Sequence, residues 1–206
     1  MKTGPTHGPM KKGEATRARI IDAVIRQAAV RGLTAVSLAD VAEAVGLSKS
    51  GIFKHFDSKE DMHAALVESV MTHFTEVIWR PAEAYPPGRP RLEVVFDRWL
   101  HWGETQWAES GCPVNALSME LDDQPGPLRD LLRTRLQVFR AHVIEEFRRL
   151  RDPPLSEDEA KAAYFQMKSF LLGHGDARRM MGDTDAGRSA AAAFRALLDR
   201  ESRAAA

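Results

Sequence analysis

Residues 38–62 read LADVAEAVGLSKSGIFKHFDSKEDM. Leu38, Val41, Ala42 and Val45 recur at i, i+3, i+4 and i+7, which places them on one face of a two-turn helix. Ser37 stands at the N-cap position, and Asp40 follows three residues on, as in a capping box. Gly46 suits the left-handed residue just past such a helix. Ser48 caps a second short helix that stops near His55. Ser58 caps a third, with Glu60 in its first turn and Asp61 at the capping-box position. Ile52 and Phe56 fall on the inner face, whereas the polar residues of the second helix face outward. Two short helices joined by a glycine turn, the second exposed and cationic, have the layout of a helix-turn-helix.

Outward from this stretch the pattern stays helical. A first helix is predicted from about Thr16 to Arg31, with Ile21, Val24, Ile25, Ala28 and Ala29 on one stripe and Gly32 ending it. The helix capped by Ser58 carries Met62, Ala65, Leu66, Val70 and Val77, and runs to about Trp79, where Pro81 closes it. Residues 81–90, PAEAYPPGRP, read as a loop. Further helices are expected from about Arg91 to Glu109, Val114 to Leu121, Leu128 to Leu150, Ser156 to Met181, and from Asp183–Asp185 to Arg200. Gly111-Cys112-Pro113, Pro125-Gly126-Pro127 and Pro153-Pro154 read as breaks. Ser156 with Glu159 forms another capping box. Asp122-Asp123 and Glu145-Glu146 read as solvated helix-end acids. The sum is an all-α chain of about nine helices with no credible strand.

Charge is distributed unevenly. The formal net charge is 0, yet residues 1–59 hold ten Lys/Arg against five Asp/Glu, a balance of +5, and the remainder carries −5. A basic lobe on an acidic body implies that one lobe faces phosphate. The single cysteine, Cys112, excludes an intramolecular disulfide and a multi-cysteine metal site, and fits a reducing cytosol. No apolar run approaches the roughly 20 residues that span a bilayer. The segment MKTGPTHGPMKKGEATR lacks the apolar core of a signal peptide, so the expected location is cytoplasmic.

The chemistry of the short cationic helix follows from its residue types. Ser48, Lys49 and Ser50 offer backbone N–H groups and hydroxyls to a phosphate or a base edge. Lys49 suits guanine O6/N7 or a phosphate. Gly51 permits close backbone approach, and the Phe53 ring suits a thymine methyl. Lys54, His55 and Lys59 suit phosphates, and Ser37 adds a hydroxyl at the start of the preceding helix. Capping is the first role of Ser37, Ser48 and Ser58.

The run TRARIIDAVIRQAAVRGLTAVSLADVAEAVGLSKSGIFKHFDSKEDM resembles the DNA-binding domain of the TetR family of bacterial transcriptional regulators. GLSKSGIFKHFDSKE is its most specific part, and Phe53 stands where much of that family has Tyr. The resemblance implies a three-helix helix-turn-helix domain followed by a helical lobe for ligand binding and dimerisation. The expected division is a basic arm over 1–15, a DNA-binding domain over 16–60, and an effector-binding and dimerisation domain over 61–206. It further implies a repressor that binds a palindromic double-stranded DNA operator as a homodimer, joined through the last two helices. No enzyme activity, cofactor, metal or membrane partner is expected.

The helical lobe is rich in bulky apolar and polar-tipped groups. Phe96, Trp99, Trp102, Trp107, Met119, Phe139, Met167, Phe170 and His174 are the candidate effector-binding residues, suited to a small, largely apolar molecule between helices. At helical spacing most of them also suit a core. Gly173, Gly175, Ala177 and Ala190–Ala193 suit close helix packing in a dimer. The rival regulatory reading is a thiol-based redox sensor using Cys112. A Cys112 nucleophile paired with His101 or His142 is the enzymatic rival, and no phosphate loop, metalloprotease motif or nucleophile elbow accompanies it.

Overall fold

The structure, a computed structural model, describes residues 12–105, 107 and 111–203. It contains nine α-helices and no strand among those residues. Residues 1–11 of the expected basic arm and Glu109, the expected end of the fifth helix, lie outside the described residues. The chain divides into two compact units, Met1–Ser69 and Val70–Ala206.

In the first unit, α1 (Lys12–Arg31) begins four residues before the expected Thr16. Its buried stripe is Ile20, Ile21, Ala23 and Val24, while Ile25, Ala28 and Ala29 are half-buried. The inner face is thus rotated by about one residue from the expected one. Gly32, at φ 84°, turns the chain out of α1. Ser37 then caps α2 (Leu38–Val45), its hydroxyl accepting the Asp40 N–H at 3.2 Å. Gly46, at φ 68°, ends α2 in the left-handed conformation that glycine adopts without steric cost. Ser48 caps α3 (Lys49–Ile52), shorter than the expected helix to His55. The remaining residues form a turn in which the His55 N–H donates to the Ile52 carbonyl at 2.8 Å. Ser58 accepts the Asp61 N–H at 3.0 Å and opens α4 (Lys59–Phe74). The Asp61 carboxylate reaches back to the Asp57 N–H at 3.1 Å. Ile20, Val24, Leu33, Val36, Val41, Ile52, Phe56 and Met62 are essentially solvent-free and make the core of this unit.

The second unit starts within the same helix run, and here two expectations are corrected. α4 does not continue as α-helix to Trp79. It widens into a π-helical turn over Thr75–Trp79 and then tightens into a 3-10 turn over Arg80–Ala84. The cause is Pro81, which has no N–H to give the Val77 carbonyl four residues back. The Arg98 guanidinium supplies that donor from Nε at 2.6 Å. Pro81 sits in the first turn of the 3-10 segment, so part of the expected loop over 81–90 is helical.

The same tolerance of proline in a first turn explains the other starts. α5 (Arg89–Thr105), α6 (Pro113–Leu121) and α7 (Pro127–Arg148) each begin one or two residues before the sequence-based estimate, on Pro90, Pro113 and Pro127. α8 (Glu157–Arg179) has both bonds of the capping box, Glu159 N–H to Ser156 Oγ at 3.3 Å and Ser156 N–H to Glu159 Oε2 at 2.8 Å. α9 (Ala186–Glu201) closes the fold.

The core of this unit is aromatic. The Phe74 ring lies 4.8 Å from Trp99, 5.0 Å from Trp102 and 4.9 Å from Phe139, centroid to centroid. Edge-to-face and tilted contacts of this kind add to the stabilisation from burial. Glu146 is a further correction. It is not a solvated helix-end acid but is 3% exposed, because Arg91 and the Gly88 N–H bind its carboxylate.

Candidate nucleic-acid interface and ligand cavity

The α3 region separates its faces sharply. Ile52 and Phe56 are fully buried, whereas Ser48, Lys49, Ser50, Phe53 and Lys54 are exposed. Phe53 leaves 48% of its surface in solvent, so its ring is open to contact from outside the chain. The Ser48 hydroxyl accepts the Gly51 N–H at 3.1 Å and lies 2.9 Å from the Ser50 hydroxyl. Gly51 is half-buried, and a Cβ there would stand 3.4 Å from both Leu47 Cβ and Ser48 Oγ, in ordinary contact. Glycine at 51 is therefore not required by the fold. His55 is half-buried beside this turn.

Lys59 and Ser37 are more engaged. Lys59 Nζ donates to the Thr34 carbonyl at 3.3 Å, tying the start of α4 to the α1–α2 connection. Ser37 is partly buried and serves Asp40, whose carboxyl is held below its ordinary range first by the Ser37 hydroxyl and then by Arg31. The structure therefore brings Ser48, Lys49, Ser50, Phe53 and Lys54 together on one exposed surface. Ser37 and Lys59 have structural bonds of their own.

A cavity of about 410 Å³ opens among α5, α6 and α8. Its wall includes Trp99 and Gly103 of α5, Cys112, Asn115, Ala116 and Met119 before and along α6, and Leu171, Leu172, His174 and Arg178 on α8. Of the nine candidate effector-binding residues, Trp99, Met119 and His174 line it. The others lie elsewhere. Phe96 stacks on Phe194 at 4.0 Å, and Trp102, Phe139 and Met167 are buried in the core. Trp107 packs edge-on to Trp102 at 6.3 Å, and Phe170 is half-buried on α8.

His174, Asp176, Arg178 and Arg179 place ionisable groups on this wall, and Glu104 and Lys168 bond to residues of it. Glu104 Oε1 receives His174 Nε2 at 2.9 Å and Arg178 Nη1 at 3.2 Å. Gly187 makes room for that carboxylate, since a Cβ there would stand 2.8 Å from Oε1. Arg179 lies over Gly111, where a Cβ would come within 2.6 Å of Nη1. Lys168 donates a short hydrogen bond to Asn115 Oδ1 and stands 4.8 Å from the Trp99 ring centroid. Burial pushes the Lys168 ammonium below its ordinary pKa and pushes the Cys112 thiol above its own. Sequence reasoning did not single out Asn115 or Lys168, and it placed Arg178 and Arg179 among charges for the dimer interface and not beside a cavity. A lysine on the half-buried flank of α8, beside Ala160, Ala163, Met167 and Leu171, was the available signal.

Among the described residues no group of His, Cys, Asp and Glu is arranged to hold a metal ion. No helix there is long and apolar enough to cross a membrane.

Two family models match the chain. Bacterial regulatory proteins, tetR family, matches residues 20–66, and Tetracyclin repressor-like, C-terminal domain, matches residues 88–194. The HTH-type transcriptional regulator TtgR of Pseudomonas putida is 37% identical over 60 residues. That match spans 29% of this chain and 29% of the relative. A TetR-family transcriptional regulator from Streptomyces coelicolor has a similar solved structure, with a TM-score of 0.80 at 16% identity, covering 92% of this chain and 97% of that one. AibR in complex with isovaleryl coenzyme A and operator DNA gives a TM-score of 0.71 at 16% identity, covering 90% and 97%. At such identities the structural likeness is one of fold.

Proposed function

Because the chain belongs to the TetR family, whose members are DNA-binding regulators of transcription rather than enzymes, we propose that it is a homodimeric repressor released from a palindromic operator by a small, largely apolar effector. The observation that carries this reading is the exposed set Ser48, Lys49, Ser50, Phe53 and Lys54 above a buried Ile52 and Phe56. Short cationic helices of this kind enter the major groove, with Lys and hydroxyl groups on phosphates and an apolar ring against thymine methyls. Gly51, His55, Lys59 and Ser37 belong to the same surface in this reading.

Palindromic recognition needs two copies of α3 roughly 34–36 Å apart, which requires a dimer. α8 and α9 support that role. Phe165 of α8 is 71% exposed, and Gly173, Ala192 and Ala196 leave small exposed positions where another helix packs closely. AibR, crystallised with both an acyl thioester and operator DNA, has the same fold and joins the two ligand types in one chain.

α4 provides the route for regulation. It starts at Lys59, bonded to the carbonyl of Thr34, and ends at Phe74, which packs on Trp99 and Trp102. An effector changes DNA affinity only by binding one arrangement of the protein better than another, and in this reading that difference acts through α4. The Cys112 redox reading is the weaker one. Burial favours the protonated thiol, whereas a redox-sensing cysteine needs thiolate character.

Selection of bound sites from random duplex DNA tests the proposal. The expected result is a two-fold symmetric sequence bound about a thousandfold or more above random DNA. Binding without sequence preference, or selection of an asymmetric single site by a monomer, overturns it.

A further inference from the structure

We infer that the cavity among α5, α6 and α8 takes a small amphipathic carboxylate, with its head group at Asn115 and Trp99 of the wall, where the Lys168 ammonium is bonded to Asn115. This inference rests on the ligand-responsive reading above and names the chemical class of the ligand.

The head-group end is a cluster of donors short of acceptors. Trp99 is 3% exposed, and its Nε1 has no hydrogen-bond partner of ordinary geometry, only the approach of the Cys112 sulfur. A buried N–H left in this state is unfavourable, and a ligand oxygen that reaches it removes the cost. Lys168 places its charge against the Asn115 amide oxygen and the Trp99 ring face, with no carboxylate paired to it among the described residues. An amide oxygen is a weaker partner for an ammonium than a carboxylate. Burial of an ammonium without a counter-ion is unfavourable, and a ligand anion removes that cost.

The neighbouring acids leave this position open. Glu104 is held by His174 and Arg178. Asp176 is the opposing charge on the wall, which also carries Arg178 and Arg179. Met119, Leu171, Leu172 and Met180 line the rest with flexible apolar groups that adapt to an alkyl or aromatic body. The volume, about 410 Å³, lies within the range of small-molecule sites.

Calorimetric titration of the full chain with octanoate, 1-naphthoate, octanol and octylamine tests the assignment. Octanoate or 1-naphthoate is expected to bind at least tenfold more tightly than octanol, and octylamine weakest of all. K168M should abolish the preference for acid over alcohol, a loss of roughly tenfold or more in acid affinity, while K168R should keep it. W99F should weaken the acid and leave octanol little changed. Equal binding of acid, alcohol and amine overturns the inference, as does a K168M protein that folds and retains the preference. Absence of binding by either acid at millimolar concentration also overturns it. If K168M does not fold, Asn115→Leu carries the same comparison. Operator binding is measured in parallel. Acid binding that leaves DNA affinity unchanged defeats the regulatory reading and keeps the site. Release of DNA by an uncharged compound, with no acid bound, defeats the site and keeps the regulatory reading.

Discussion

The Glu146 carboxylate accepts the Gly88 backbone N–H at 2.6 Å, joining two segments 58 residues apart. Its second oxygen takes Arg91 Nη1 at 2.8 Å and Arg149 Nη1 at 3.2 Å. Gly88 sits at φ 84°, and a Cβ there would stand 2.9 Å from the Arg149 carbonyl oxygen. A buried acid, a glycine and two arginines thus fasten the start of α5 to the end of α7.

Removing that acid leaves the buried Gly88 N–H without a partner and the half-buried Arg91 guanidinium with the Tyr85 carbonyl but no counter-charge. Glu146→Ala is expected to destabilise the second unit by about 3–5 kcal/mol, read as a lower urea midpoint. Gly88→Ala should destabilise in the same direction, because both its φ and its space are wrong for a side chain. Glu145→Ala, on the exposed side of the same turn, should change the midpoint little.

DNA affinity should depend on the exposed face of α3 without depending on stability. Lys49→Ala and Lys54→Ala are each expected to weaken binding and to lower the slope of log affinity against log salt by about 1. Phe53→Ala should weaken binding at unchanged melting temperature. Lys59→Ala should reduce both, since its ammonium also holds the Thr34 carbonyl. A salt titration followed by fluorescence anisotropy of labelled duplex, with thermal melts beside it, separates the two classes. Unchanged affinity in all of the α3 variants would remove α3 from the DNA surface.

The Ser156–Glu159 capping box gives a pH prediction. Glu159 is lowered from 4.5 to about 2, first by the Ser156 backbone N–H, then by the Ser156 hydroxyl and Arg151. A carboxylate whose folded pKa is depressed contributes stability above its unfolded pKa and loses it as pH falls. Wild type should therefore exceed Glu159→Gln in stability above about pH 4.5, and the difference should close as pH drops towards 2. Denaturant midpoints of both proteins across that window measure it. A difference independent of pH would show that the carboxylate charge is irrelevant at this cap.

The α8–α9 surface is expected to hold the dimer. Phe165→Asp puts a charge on the most exposed large apolar residue within the two helices and should shift sedimentation at micromolar concentration towards monomer. The same variant should bind the symmetric operator at least tenfold more weakly, since two half-sites are no longer engaged together. A dimer that survives the substitution intact would move the interface elsewhere.

The parts of the fold that were legible in the sequence depend on neighbours a few residues apart. Ser37, Ser48, Ser58 and Ser156 each cap within three residues, so local spacing revealed every one of them. Gly46 identified its own turn for the same reason. What was missed depends on partners far along the chain. After the π turn that follows Phe74, the donor that Pro81 cannot give Val77 comes from Arg98, 21 residues from it. Glu146 reads as a surface acid until Gly88 and Arg91 are brought to it. The aromatic candidates were chosen by size, and size selects core as readily as cavity wall. Asn115 and Lys168 are bonded across 53 residues, a pairing that local spacing cannot reveal.

All four tryptophans, at 79, 99, 102 and 107, fall after Ser69, and the first unit has none. The molecule is therefore optically lopsided. Its natural emission reports on the half that holds the cavity and is blind at source to the half that holds α3. An emission change produced by duplex DNA alone would report an effect on the second unit. The wild-type chain, without any added dye, thus carries its own gauge of communication between reading and sensing.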